Sequence, residues 1–228
     1  MKEEIVIRPI AHIQSDFTEK FGIPRQAGIV EELEATIVFE PEYRVKDALR
    51  GLEDFSHVWL IWQFSEAVRQ EWSPTVRPPR LGGNTRMGVF ATRSPFRPNN
   101  LGLSCVKIIG LEDTKDKGTV VKVAGADLMN GTPIFDIKPY IPYADCKIDA
   151  LGGFAPDSGT TLQVEMLEES LANFPIEKRE ALRAVLANDP RPRYQNDPDR
   201  VYSMDFAGFD VKFSVKGDTL FLLSTEKK

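Results

Sequence analysis

Metal and disulfide chemistry have little to work with in this sequence, which holds two cysteines, Cys105 and Cys146, and two histidines, His12 and His57, in 228 residues. No HExxH, CxxC or EF-hand spacing occurs, so no metal site is expected, and the two isolated cysteines are read as free thiols rather than a disulfide framework. Also missing are a GxGxxG after a strand, a Walker GxxxxGKS/T and a GxSxG elbow, which removes the common dinucleotide, nucleotide-hydrolase and serine-hydrolase signals. No apolar run approaches the length that spans a bilayer, and the opening MKEEIVIRP carries no signal-peptide core. A cytoplasmic chain with no membrane partner is therefore expected. The last absence is local: from Ser73 to Leu111 there is no Asp or Glu.

That acid-free segment carries Arg77, Arg80, Arg86, Arg93, Arg97 and Lys107, a local charge of +6 in a chain of net −5, so the remainder carries −11. A generally polycationic nucleic-acid binder is excluded, but one oriented approach of a polyanion is not. The hydrophobic share of 42% and mean hydropathy of −0.27 describe a soluble globule with a substantial core.

The first two-thirds of the chain reads as strands. IVIRPIAHI, LEATIVF, HVWLIWQF, MGVFAT, SCVKIIGL and TVVKVAGA are short, rich in β-branched and aromatic residues, and separated by Gly, Pro, Asp and Asn. Such spacing predicts a sandwich or barrel. HVWLIWQF is nearly continuously apolar, which predicts a strand covered on both faces, and a short helix is expected between Val45 and Leu52. After Asp149 the character changes. LGGFAPDSG reads as a linker, TTLQVEML as a strand, and EESLANF and IEKREALRAVLAND as helices. VYSMDF, DVKFSV and TLFLLS read as closing strands, the last two joined across the KGDT turn. The expected organisation is mainly β: residues 1–150 as one β-rich domain and residues 151–228 as a smaller α+β domain.

Chemistry concentrates in the loops. RPPRLGGNTRMGVFATRSPFRPNNLGLS sets planar guanidinium donors on stiff, proline-rich connections with glycines that allow close backbone approach, an arrangement suited to phosphate or carboxylate groups. ADLMNGTPIFDIKPYIPYAD combines a turn with Asp136, Lys138, Tyr140, Tyr143 and Asp145, and Asp136 and Lys138 fall on one side of a strand where they can pair. The PRQAG loop offers Arg25 and Gln26 as planar donors. Late in the chain, DPRPRYQ offers Arg191, Arg193 and Tyr194 for phosphate contact and base stacking. Each of these also has a plain structural reading: a solvated basic face, a hairpin turn, a stiff loop.

Together, PIAHIQSDFTEKFGIPRQAG, GLEDFSHVWLIWQF, TVRPPRLGGNTRMGVFATRSPFRPNNLGLS and DLMNGTPIFDIKPYIPYAD resemble the TrmO (YaeB or TsaA-like) family, and the resemblance runs over almost the whole chain. It implies a single-sheet β-barrel as the N-terminal domain and a homodimer. It implies, too, a tRNA methyltransferase that carries a methyl group from S-adenosylmethionine to N6 of N6-threonylcarbamoyladenosine at position 37 of a threonine tRNA. By matching motif, the donor-binding positions are Gln26, Ala27 and Gly28; Ser65 and Glu66; Arg93; Leu103; and Gly131, Thr132, Pro133 and Ile134. Residue chemistry adds Arg86, Arg97 and Asn99 to orient the substrate, Asp136, Asp145 or His57 as proton acceptor, and Arg77 and Arg80 with the late DPRPRY loop as contacts to the tRNA anticodon loop. A sulfonium donor needs no metal, since its leaving group is already activated. A non-catalytic RNA- or nucleotide-binding barrel, and a methyltransferase of the same fold with another substrate, remain alternative readings of the same residues.

Overall fold

The computed structural model describes residues 5–68, 71–157, 159, 161–192, 195 and 197–228. Strands β1 (Ala11–Gln14), β2 (Glu34–Phe39) and β3 (His57–Gln63) come first, followed by a small ribbon, β4 (Thr75–Val76) with β5 (Met87–Gly88). The long β6 (Leu101–Thr114), β7 (Gly118–Ala124) and β8 (Pro133–Pro139) complete the first unit. Six of these strands close a hydrogen-bonded ring in the order β1-β2-β7-β6-β3-β8.

This ring corrects the barrel expectation: the sheet closes through its hydrogen bonds but does not curve evenly round an axis, so the fold is β-rich without being barrel-shaped. Its strands are too unequal for an even cylinder, with β6 running 14 residues and β1 only 4. Ring closure between β1 and β8 rests on two residue pairs, Ala11 with Ile134 and His12 with Pro133. Register shifts at Ile61/Trp62 and Ile108/Gly110 add local bends.

Alternation decides which face of each strand is buried. In β2, Ala35, Ile37 and Phe39 turn inward; in β3, Val58, Leu60 and Trp62 do the same. The continuously apolar HVWLIWQF is thus not covered on both faces: Trp59 and Ile61 lie on the outer side and are half-buried. The helix expected near residues 45–52 is replaced by two 3-10 turns, Lys46–Leu49 and Leu52–Asp54, because Gly51 between them takes φ +83°, a left-handed conformation that interrupts a helix.

Beyond a four-residue helix, α1 (Pro142–Asp145), the chain runs through β9 (Gln163–Glu165) and α2 (Arg179–Ala187) to β10 (Tyr202–Phe206), β11 (Phe209–Lys216) and β12 (Thr219–Lys227). These strands form a sheet in the order β10-β11-β12-β9, with β12 and β9 parallel. Helix α2 buries Ala181, Leu182, Val185 and Leu186, the apolar face read from its spacing. EESLANF supplies only a 3-10 turn, Glu168–Leu171. No helix among the described residues is long and apolar enough to cross a membrane.

Two apolar cores result. One fills the ring with Ile13, Ile37, Leu60, Trp62, Val106, Val123 and Ile134 among others. The second lies under the late sheet and α2, yet it includes Phe17, Val30 and Leu33 from the early connection between β1 and β2. Phe21, Ile23 and Ile29 pack against this second core as well. The PRQAG loop therefore leaves one core and is anchored in the other.

Candidate functional site

A cavity of about 790 Å³ opens at one end of the ring. Its walls come from four segments distant in sequence: the PRQAG loop (Arg25, Gln26), the end of β3 and the turn after it (Trp62 to Val68), the arginine loop (Thr92 to Arg97) with the start of β6, and the connection from β7 to β8 (Asp127, Met129, Thr132). The volume falls within the roughly 300–1,000 Å³ typical of small-molecule sites.

Of the donor-binding positions expected from the sequence, Gln26, Ser65, Glu66, Arg93, Leu103 and Thr132 all line this cavity. Ala27 instead packs on the ring core, Gly28 donates its backbone N–H to the Gly125 carbonyl at 2.8 Å, and Ile134 is fully buried in the core. Gly131 (φ +80°) makes the turn that brings Thr132 to the wall, and the Thr132 hydroxyl donates to the Met129 carbonyl at 2.7 Å. Pro133 opens β8. These five hold the shape of the site from behind.

The substrate-orienting set divides. Arg97 lines the cavity and spans two loop carbonyls, donating to Thr92 at 2.9 Å and Ser94 at 3.3 Å, so it staples the ATRSPFRP turn while facing the cavity. Arg86 lies on the ribbon, with a donation to Thr75 Oγ1 at 3.4 Å, and exposed Asn99 contributes its carbonyl to the Leu101 N–H at 2.7 Å; neither lines the cavity.

His57, Asp136 and Asp145 are placed outside the cavity lining. His57 opens β3 beside Tyr140, Asp136 pairs with Lys138 at 2.9 Å as its position on the strand suggested, and Asp145 accepts the Ile141 N–H at 2.8 Å. Arg77 is exposed on the ribbon side, whereas Arg80 is ion-paired with Asp157. Arg191 is buried and held bidentately by Asp189 at 2.8 and 2.9 Å, and its carbonyl accepts from Arg25 Nη2 at 3.1 Å, a structural assignment for that guanidinium. Arg193 and Tyr194 lie outside the described residues. Cys105 and Cys146 are both free.

One charged side chain in the cavity wall escaped sequence reasoning. Asp127 stands in the cavity wall, where Ser104 Oγ donates to its Oδ1 at 2.6 Å, and Ser104 in turn accepts from the Trp62 indole N–H at 2.9 Å. Ser104 and Trp62 are buried, so this chain of donors is locked in place. Burial pushes the Asp127 carboxyl above the ordinary aspartate range, while the Ser104 hydroxyl, its own and the Ala27 backbone N–H and the nearby Arg93 charge pull it back. The only hint in the sequence is a lone acid three residues past the end of β7, in the connection to β8. Among the described residues, no group of three or more His, Cys, Asp or Glu is placed to hold a metal ion.

A β-rich scaffold that seats convergent charged, amide and aromatic groups round a ligand-sized cavity has the form of a small-molecule-binding site. Comparison with known proteins names the family. Residues 12–146 match the tRNA-methyltransferase O N-terminal domain, and residues 159–228 match the TrmO C-terminal domain. The tRNA (adenine(37)-N6)-methyltransferase of Escherichia coli K12 is 40% identical over 218 residues, covering 90% of this chain and 91% of that protein. A protein of the same description from Eikenella corrodens is 46% identical over 163 residues, 71% of this chain and 92% of its own length. The crystal structure of TrmO from Pseudomonas aeruginosa superposes with a TM-score of 0.81 at 32% identity, covering 98% of both chains. The chain belongs to the TrmO family of tRNA N6-methyltransferases.

Proposed function

We propose that the cavity at the end of the ring binds S-adenosylmethionine and that the chain transfers its methyl group to N6 of N6-threonylcarbamoyladenosine at position 37 of a threonine tRNA. The activity follows from family membership over both domains. The observation that carries the site assignment is that one cavity gathers six of the donor-binding positions expected from the sequence. A nucleoside sulfonium bearing an amino acid fits what lines it: Trp62, Phe64 and Phe96 offer apolar and aromatic surface, Gln26 and Thr132 polar contacts, Arg93 a guanidinium and Asp127 a carboxylate.

When bound, the donor supplies an electrophilic methyl group on an already activated leaving sulfur. The chain's own part is placement. N6 of the modified adenosine is a poor nucleophile, its lone pair shared with the ring and the urea carbonyl, so as the N–C bond forms and the C–S bond breaks its proton must pass to a base or to water, and alignment and charge stabilisation lower the barrier. Arg97, fixed by two carbonyls and facing the cavity, orients the threonyl carboxylate or carbamoyl oxygen. Arg77 and Arg86, on the exposed ribbon of the same acid-free segment, meet phosphates of the anticodon loop.

The reading includes a cytoplasmic homodimer and two functional units, residues 1–150 and 151–228. Exposed apolar side chains in the cavity lining, Val68, Leu101 and Leu103, support a second copy covering that face. The test is transfer of labelled methyl from S-adenosylmethionine to tRNA with and without the threonylcarbamoyl group, followed by nucleoside mass spectrometry. Label in N6-methyl-threonylcarbamoyladenosine from the modified tRNA alone is the expected result. Equal labelling of both tRNAs, or none, defeats the reading.

A further inference from the structure

Arg93 and Asp127 line the same cavity with opposite charges, yet among the described residues they are not ion-paired with each other. Each is held by a neutral partner instead. Arg93 Nη1 donates to the Gln26 side-chain oxygen, whose amide nitrogen donates onward to the Arg25 carbonyl. Asp127 is oriented by Ser104, itself fixed by the Trp62 indole. The two are close enough for the Arg93 charge to act on Asp127. The two charges thus face one cavity from separate anchors, Arg93 on the Gln26 amide and Asp127 on the Ser104 hydroxyl.

Separated, anchored charges of this kind match one ligand chemistry, the zwitterion of an α-amino acid, in which a carboxylate and an ammonium stand on the same carbon. A guanidinium fork complements the first and a carboxylate the second. We propose that Asp127 is a donor-binding residue that accepts from the ammonium of the methionyl end of the methyl donor, working as a pair with Arg93 on the carboxylate. This rests on the cavity being the donor site. A largely desolvated carboxylate is stabilised by its Ser104 and backbone donors, and a cationic ligand would complete that set. The remaining carboxylate in the lining, Glu66, is exposed and lies on a surface turn, a poorer partner for a specific ammonium.

The pair predicts which half of the ligand each residue reads. Calorimetric titration would compare S-adenosylhomocysteine, which keeps the amino-acid end, with 5′-methylthioadenosine, which lacks it. Asp127→Asn should weaken S-adenosylhomocysteine at least tenfold and leave 5′-methylthioadenosine unchanged, which also shows that the variant is folded. Arg93→Gln should do the same, the double variant should lose less than the product of the single losses, and Asp127→Glu should recover part of the affinity. An equal loss of both ligands in Asp127→Asn, or a loss of neither, overturns the proposal. If the unaltered protein binds neither ligand, it is the donor-site reading itself that fails.

Discussion

Trp62 and Gly102 are partners across the β3–β6 ladder, and the indole fills the space where any other residue at 102 would carry its Cβ, which would stand 2.3 Å from a ring carbon. Both residues line the cavity, and Trp62 also holds Ser104, so the glycine sets the position of the indole that steadies Asp127. Gly102→Ala should cost about 1–3 kcal/mol of stability through overpacking, because the indole, packed on Phe64 and bonded to Ser104, has to give up those contacts to make room. Donor affinity should fall with it, since the Trp62–Ser104–Asp127 chain must shift. Chemical denaturation and donor titration on the same sample check both effects.

Arg97 holds the ATRSPFRP turn while facing the cavity, so its proposed substrate contact can be tested apart from the donor. In Arg97 a single nitrogen, Nη1, donates to both carbonyls, which leaves the other guanidinium N–H groups for a ligand; Arg97→Lys keeps the charge but loses those planar donors, so kcat/KM for tRNA should drop by about tenfold or more while donor affinity stays within about threefold. An unchanged kcat/KM would remove Arg97 from the substrate contacts.

Binding of tRNA should be salt-sensitive despite the net charge of −5, because the acid-free segment presents its arginines without compensating acids of its own. Arg77→Ala should reduce the slope of log affinity against log salt by about 0.7–0.9, the value of one phosphate contact. Arg80→Ala should reduce it less, since Asp157 already neutralises that guanidinium. Filter binding from low to high salt separates the two.

Stability should carry an imprint of Asp127. Its folded carboxyl is raised by burial, so the folded protein holds this proton to higher pH than the unfolded chain does. Stability from this group is complete below the ordinary aspartate range and is lost as pH rises through the raised value. Asp127→Asn has no such dependence. The difference in Tm between variant and unaltered protein should therefore move in the variant's favour as pH rises through that window and be flat above it. A difference independent of pH across the window would contradict the assignment.

Strands are legible in the sequence as strands: β2, β3 and β7 follow from their β-branched and aromatic runs, but the continuous apolar run of β3 conceals that Val58, Leu60 and Trp62 alone turn inward. Helix α2 and the KGDT turn between β11 and β12 follow from equally local signals. What the spacing misses is set by distant partners. The uneven ring depends on how long β6 is relative to β1, and no single segment reveals that. Asp127 gains its meaning from Ser104, 23 residues away, and from Trp62, a further 42 from Ser104. Arg191 reads as a phosphate contact until Asp189 and the Arg25 guanidinium are seen around it. The loops, by contrast, declare themselves, because an arginine block without acids is a local property of composition.

The early connection that carries Arg25 and Gln26 to the cavity is rooted by Phe17, Val30 and Leu33 in the core beneath β10, β11 and β12. Gly22 within it lies so close to Met204 that a Cβ there would fall 2.7 Å from the sulfur. The late sheet is thus a foundation for one wall of the cavity rather than an appendage. A ligand seated against Gln26 leans, at one remove, on Phe206 and Phe213, and amide exchange in strands far from the chemistry should slow when the cavity is filled.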